Sequence, residues 1–311
     1  RNYERVKKVL IISYFYPPCN LTAAQRVGSF HTELCAKGFE VTTITRKWEE
    51  QVTDFIPMHK ATSGGIYEEQ SAGGKVIWVP YVPNRRDELL VRGKLRWVRK
   101  LLSFQEAVFQ NVYPKLCPFY ALYAAADKEM KTNSYDLVMV SGNPFIQFQF
   151  GYALAKKYDV KWIADYRDAW TTSTINHIGR SPFYRIYQLW DRYFERKWVG
   201  TAAYITASSD EIGREVSELC GVPHSTLFNG YDRHLFDGVL EVEKRKDVFQ
   251  IAYIGTLYQG QPIELFLSAY KKFIDLHHPK VKLLFPGLAL DQRQAQRVTD
   301  TLVGYADYFQ I

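Results

Sequence analysis

The sequence predicts a doubly wound α/β domain followed by the start of another one. Short apolar runs alternate with segments of helical periodicity along the whole chain. The first run, Val9-Leu10-Ile11-Ile12, is apolar throughout, as a strand buried on both faces should be. The charged stretch Glu-Val-Glu-Lys-Arg-Lys-Asp, 241–247, then divides a first domain, 1–240, from a second, 241–311.

After the first strand and a proline-containing loop, Thr22 to Lys37 has helical spacing through Ala23, Val27, Phe30, Leu34 and Cys35, and Gly38 supplies the stop. Val41-Thr42-Thr43-Ile44 is the second strand, which makes a βαβ unit with parallel strands and a right-handed crossover. Residues 48–74 are polar and glycine-punctuated and read as a surface excursion; 76–80 is a third strand. Further strands are expected at 137–140, 160–163, 204–207 and 226–228, and in the second domain at 251–254 and 281–285. The residues after Asp247 suffice for about two or three strands and two helices, so the second domain is expected to be incomplete.

The 47% hydrophobic content is ample for real cores. Forty Lys and Arg against 33 Asp and Glu leave a net charge of +7, which favours an acidic partner: a phosphorylated metabolite, an anionic membrane surface or nucleic acid. The charges form no nucleic-acid-binding motif and lack the strong excess such a binder carries, so no nucleic acid is expected. Cys19, Cys35, Cys117 and Cys220 have no metal-ligand spacing, which fits a reducing compartment and no structural zinc. The run from Val9 to Phe15 is too short for a membrane span and lacks a signal-peptide cleavage pattern. Because the chain opens on Arg1, its beginning is expected to be trimmed.

Several enzyme classes are excluded. The first loop, 14–21, has no glycine and the second strand ends in Arg46-Lys47, where a dinucleotide-binding domain needs G-x-G-x-x-G and an acid. No Walker phosphate loop, H-E-x-x-H helix or G-x-S-x-G elbow occurs. The most informative segment is Ile163 to Trp170, an apolar strand end that stops in Asp165, Arg167, Asp168 and Trp170. Carboxyl ends of strands in open α/β sheets form the ligand crevice, and charge is costly there without partners. The alternative is an ion-paired loop closing a strand-to-helix turn. Other polar loops expected on this edge are 17–26, Ser141 to Pro144, Ser208-Ser209-Asp210 and Asn229 to Asp232, with Gly255 to Gly260 in the second domain. Singly they read as turns and helix caps; together they suggest a ligand crevice.

In order and spacing these segments resemble the retaining glycosyltransferases of the GT-B fold, of the family 4 type. The resemblance rests on Tyr16-Pro17-Pro18 with Arg26, Ser141 to Pro144, Asp165 to Trp170, Ala207 to Ile212, Phe228 to Asp232 and Tyr253 to Tyr258. It implies an N-terminal Rossmann-like doubly wound parallel sheet holding the acceptor. A partial second Rossmann-like domain would hold a nucleoside-diphosphate sugar as donor substrate, with no other cofactor and no metal. It implies transfer with retention to a glycan or lipid-linked acceptor, in surface polysaccharide or glycoconjugate assembly, by a cytoplasmic protein. Carried over by position, Asp168, Asp165 and Arg167 are the catalytic candidates. Pro18, Asn20, Arg26, Asn143, Trp170 and Asn229 would bind substrate, and Gly255, Thr256, Tyr258 and Gly260 would bind the donor.

The sequence departs from the family in three places. Asn20 to Ala23 stands where a glycine pair is frequent, and Thr256, Gln259 and Gln261 stand where an Arg or Lys usually reaches the diphosphate. The donor-site motif of two Glu eight positions apart is expected beyond Ile311. The missing cation leaves open a non-catalytic scaffold of the same fold; a nucleotide-sugar epimerase is a further alternative. Two basic aromatic segments stand apart. Arg85 to Phe104 reads as a basic amphipathic helix, either packing Leu and Trp inward or lying on the inner face of the cell membrane. Phe183 to Trp198 reads as core and sheet cover.

Overall fold

The apolar strands have to lie inside a sheet covered on both faces, and they do. The computed structural model describes residues 6–52, 56–71, 73–173, 182–231, 247–258, 260–288 and 291–311. The chain divides into two compact units, Arg1–Gly230 and Tyr231–Ile311. Apart from Asp247, the predicted linker lies outside the described residues.

In the first unit, strands β1 (Lys8–Ser13), β2 (Glu40–Arg46), β3 (Tyr67–Ser71), β4 (Gly74–Val79), β5 (Leu137–Ser141), β6 (Lys161–Tyr166), β7 (Tyr204–Ala207) and β8 (His224–Thr226) form one sheet in the order β3-β4-β2-β1-β5-β6-β7-β8. All neighbours are parallel except β3, which runs antiparallel to β4. The helices are α1 (Thr22–Ala36), α2 (Arg85–Val91), α3 (Arg96–Phe109), α4 (Tyr120–Thr132), α5 (Phe148–Tyr158), α6 (Pro182–Val199) and α7 (Asp210–Cys220). Because side chains alternate along a strand, Val9 and Ile11 of β1 pack with Val27 of α1. Leu10 and Ile12 face the opposite core, with Ala126 of α4 and Phe150 of α5. The strand order reverses between β1 and β5, so the loops leaving those strands flank the crevice expected at such a switch point.

Three expectations are corrected. The surface excursion contains β3, paired Tyr67 to Trp78, and its stretch from Pro57 to Lys60 is pinned by Arg46. That buried guanidinium donates to the carbonyls of Met58 (2.5 Å), Pro57 (3.1 Å) and Lys60 (3.0 Å) and to the Tyr14 hydroxyl, and lies 4.4 Å from the Trp48 ring centroid and 4.3 Å from that of Tyr81. The basic helix expected over 85–104 is two helices, because Gly93 (φ 65°) and Leu95 (φ 49°) turn the backbone left-handed. The strand expected at 226–228 lies at His224–Thr226, and Phe228 is exposed.

The second unit has β9 (Phe249–Ala252), β10 (Val281–Leu284) and β11 (Phe309–Gln310), parallel in the order β11-β10-β9, with α8 (Ile263–His277) and α9 (Gln292–Thr301). Its own core gathers Leu257, Leu267, Ile274, Leu283, Phe285 and Val298.

Helix α5 approaches β6 closely at Gly151, where a Cβ would lie 2.4 Å from the Trp162 ring, itself fully buried. Gly151→Ala should lower stability by about 1–3 kcal/mol through overpacking, despite the roughly 1 kcal/mol that alanine gains in a helix. Urea denaturation tests this; a variant as stable as the parent would mean that α5 can move away from the sheet.

Candidate functional site

The carboxyl edge of the first sheet is organised around a buried ion pair. Asp165, at the end of β6, is fully buried; Arg26, in the second turn of α1, has a side chain only 4% exposed. The guanidinium reaches Asp165 through Nη2 to Oδ1 at 2.7 Å and Nε to Oδ2 at 3.1 Å. Ser141 Oγ from β5 donates to Oδ2 at 2.8 Å and Thr206 Oγ1 from β7 to Oδ1 at 2.7 Å. The remaining arginine nitrogen, Nη1, donates to the Leu227 carbonyl (2.6 Å) and to Asn229 Oδ1 (3.1 Å), beyond β8. The sequence expectation placed Asp165 among catalytic groups and Arg26 and Asn229 among substrate contacts. The geometry joins the three to one another, and the Asp165 carboxylate has its acceptor positions filled by the protein.

Asp168 is placed differently. Its side chain is 53% exposed, and Oδ2 accepts from Arg167 Nη2 at 2.6 Å, Arg167 Nε at 2.9 Å and Asn143 Nδ2 at 3.3 Å. Asn143 adopts φ 67°, a left-handed conformation that asparagine tolerates, beside a cis bond to Pro144. The Arg167 carbonyl accepts from Ser208 Oγ at 2.5 Å, just before Ser209, which caps α7. The result is an oriented, solvent-facing carboxylate able to accept a hydrogen bond from a sugar hydroxyl.

The other candidates divide between exposure and packing. Pro18 is exposed in a turn closed by Cys19 N–H to the Tyr16 carbonyl at 3.1 Å. Asn20 uses its amide on the Val52 backbone, donating to the carbonyl at 3.1 Å and accepting from the N–H at 2.8 Å. This ties the loop after β1 to the segment after β2. Trp170 is half-buried and stacks on Phe145 (centroids 5.5 Å, planes 7° apart) and on Trp198 (6.1 Å, 21°), so its ring serves the core. In the second unit Gly255 (φ 133°), Thr256, Tyr258 and Gly260 are exposed at the carboxyl end of β9. Only glycine adopts that φ without strain. Gln261 Oε1 accepts from the Tyr258 N–H at 2.8 Å. Arg297 of α9, ion-paired with Glu264, donates to the Gln261 carbonyl at 2.7 Å and fixes the same loop.

Two groups escaped the sequence reading. Asp191 and Glu195, one turn apart on α6, are buried with no basic partner among the described residues. Glu195 accepts from the Tyr166 hydroxyl at 2.9 Å, from the Thr171 N–H at 3.3 Å and from the Thr171 hydroxyl, holding both ends of the segment that carries Asp168. Asp191 accepts from Asn111 at 3.3 Å and from Tyr187 and Trp170. Burial is the main cause that pushes the Glu195 carboxyl up to about 7 and that of Asp191 up to about 6; Asp191 adds repulsion at Glu195. Acids at i, i+4 beside the basic residues of an aromatic helix look like its solvated face, which is why the sequence conceals them. No cluster of three or more His, Cys, Asp or Glu able to hold a metal occurs among the described residues.

Solved structures share this architecture. An E. coli trehalose-6-phosphate synthase bound with UDP-2-fluoro glucose aligns over 96% of this chain and 71% of its own, with a TM-score of 0.57 and 10% identity. An α,α-trehalose-phosphate synthase (UDP-forming) from Burkholderia xenovorans in complex with glucose-6-phosphate aligns over 96% and 71%, at 0.55 and 8%. A trehalose-6-phosphate synthase studied with bisubstrate glycomimetics for glycosyl transfer with retention aligns over 97% and 70%, at 0.53 and 10%. These neighbours are GT-B glycosyltransferases, and the likeness establishes the fold. No protein-family model and no curated protein matches the chain.

The buried acids make stability pH-dependent. Glu195 is protonated below about 7 when folded, against an ordinary value of 4.5. The folded state therefore binds more protons across that window, and stability falls as pH rises through it, by on the order of 3 kcal/mol for this group. Glu195→Gln should flatten the fall in melting temperature between pH 5 and about 7.5. An unchanged slope would show that Glu195 does not carry it.

Proposed function

We propose that the chain is a retaining glycosyltransferase that moves a sugar from a nucleoside-diphosphate sugar to a glycan or lipid-linked acceptor, in surface polysaccharide or related glycoconjugate assembly. The likeness across 96% of the chain to a synthase structure holding UDP-2-fluoro glucose carries this reading. The motifs that resemble family 4 supply the roles. Asp168 contacts the acceptor hydroxyl, oriented by Arg167 and Asn143. Arg26 and Asp165 act through the loops they hold. Gly255 and Thr256 take the donor diphosphate through backbone N–H groups, which stabilise the charge that develops on the leaving group, with Tyr258 and Gly260 beside them.

The membrane part of the reading rests on α3. None of its residues is buried; Trp97 is 82% exposed, and Leu101 and Phe104 are also exposed, beside Arg96, Arg99 and Lys100. Leu102 and Val108 are half-buried, but Trp97, Leu101 and Phe104 do not pack inward, and a basic helix with such an apolar face suits an anionic bilayer surface. Among the described residues no helix is long and apolar enough to cross a membrane. A non-catalytic binding protein is favoured by one observation: Arg297, beside the donor loop, is paired with Glu264.

Transfer assays with UDP- and GDP-sugars, alongside calorimetric titration of UDP and GDP, test the proposal. Asp168→Asn should lower transfer roughly a hundredfold or more while leaving nucleotide affinity nearly intact. Nucleotide binding without transfer to any acceptor would favour the scaffold, and donor alteration without acceptor an epimerase. Unaltered transfer by the variant would remove Asp168 from the site.

A further inference from the structure

Helix α6 has a second face that the proposed transfer does not use. Inward, Phe194 and Trp198 are buried in the core. Outward, Ile186, Leu189 and Tyr193 are 67%, 68% and 58% exposed. Their spacing of three and then four residues sets them in one stripe along the helix. Arg192, Arg196 and Lys197 flank the stripe, are exposed, and make no ion pair among the described residues. Beside them runs a groove of about 1000 Å³, lined also by Glu218 of α7. Cations in a last helical turn offset the helix dipole, which accounts for Arg196 and Lys197 but not for Arg192 or for a bare apolar stripe.

We propose that the outer face of α6 docks on a bilayer rich in anionic phospholipid, seating Ile186, Leu189 and Tyr193 at the headgroup boundary while Arg192, Arg196 and Lys197 hold lipid phosphates. Charge selects this occupant. A second copy meeting this face about a two-fold axis would oppose three cations to three more. The inner side of α6 is tied to the segment just beyond α3, where Asn111 bonds to Asp191 at 3.3 Å. The inference deepens the membrane part of the proposed function and rests on it only for the contribution of α3. An apolar stripe with adjacent cations is what interfacial helices use, each part contributing to binding.

Co-sedimentation of the whole chain with phosphatidylglycerol–phosphatidylcholine vesicles tests the proposal, with pure phosphatidylcholine as control. Arg192→Gln/Arg196→Gln/Lys197→Gln should weaken binding to the mixed vesicles about fivefold per cation removed. Leu189→Ser/Tyr193→Ser should weaken it about tenfold or more, whereas Arg192→Lys/Arg196→Lys, which keeps all three charges, should bind as the parent does. All the altered side chains are exposed, so melting temperatures should not change. Full binding by both α6 variants would overturn the proposal, as would a dimer in sedimentation velocity that only the Leu189/Tyr193 variant dissociates. Loss of binding confined to Trp97→Ser/Leu101→Ser on α3 would also overturn it, leaving the proposed function intact. Vesicle binding that depends on α6 without any sugar transfer would instead sink the proposed function and uphold the α6 face.

Discussion

The carboxyl edge of the first sheet depends on the contact between Arg26 and Asp165. A carboxylate taken wholly out of water is costly unless its oxygens are engaged, and here every partner comes from a different part of the chain: α1, β5, β7 and, through the guanidinium, the segment after β8. Removing either charged partner leaves the other buried and uncompensated, and losing Ser141 or Thr206 leaves part of the carboxylate without a donor. The loops after β1, β5 and β6 are therefore set relative to one another by one charged node. The solvent-facing carboxylate of Asp168 inherits its place from that node three residues away.

A second layer supports the same segment from below. Glu195 grips Tyr166 and Thr171 on either side of Asp168, Asp191 grips Trp170, and Trp170 stacks between elements of the core. This layer is held by buried carboxyls that accept hydrogen bonds without a basic partner among the described residues, whereas the Arg26–Asp165 node is an ion pair. In the second unit a glycine at φ 133°, the Gln261 side chain and the Arg297 guanidinium brace the exit of β9.

The strands of the parallel sheet were readable because both faces are buried, so Val9 to Ile12 or Leu137 to Val140 could be nothing else. β3 was not, because an edge strand spelled Tyr-Glu-Glu-Gln-Ser carries no apolar period. The segment 165–170 announced itself by charge at a strand end, but sequence ranks two carboxylates three positions apart equally. Burial separates them, assigning Asp165 to the framework and Asp168 to solvent. Asp191 and Glu195 were invisible for the converse reason, since acids beside arginines on a helix imitate a solvated face. In α3 the amphipathic pattern was plain, yet no pattern says whether an apolar face meets the core or the outside.

A double-mutant cycle across Arg26 and Asp165, read by urea denaturation, tests the central claim most directly. Arg26→Met and Asp165→Asn should each cost about 3–5 kcal/mol. Combined, they should cost far less than the sum, with a coupling of at least about 2 kcal/mol. Effects additive within about 0.5 kcal/mol would contradict the account, because the pair would then not be the node on which the edge is built.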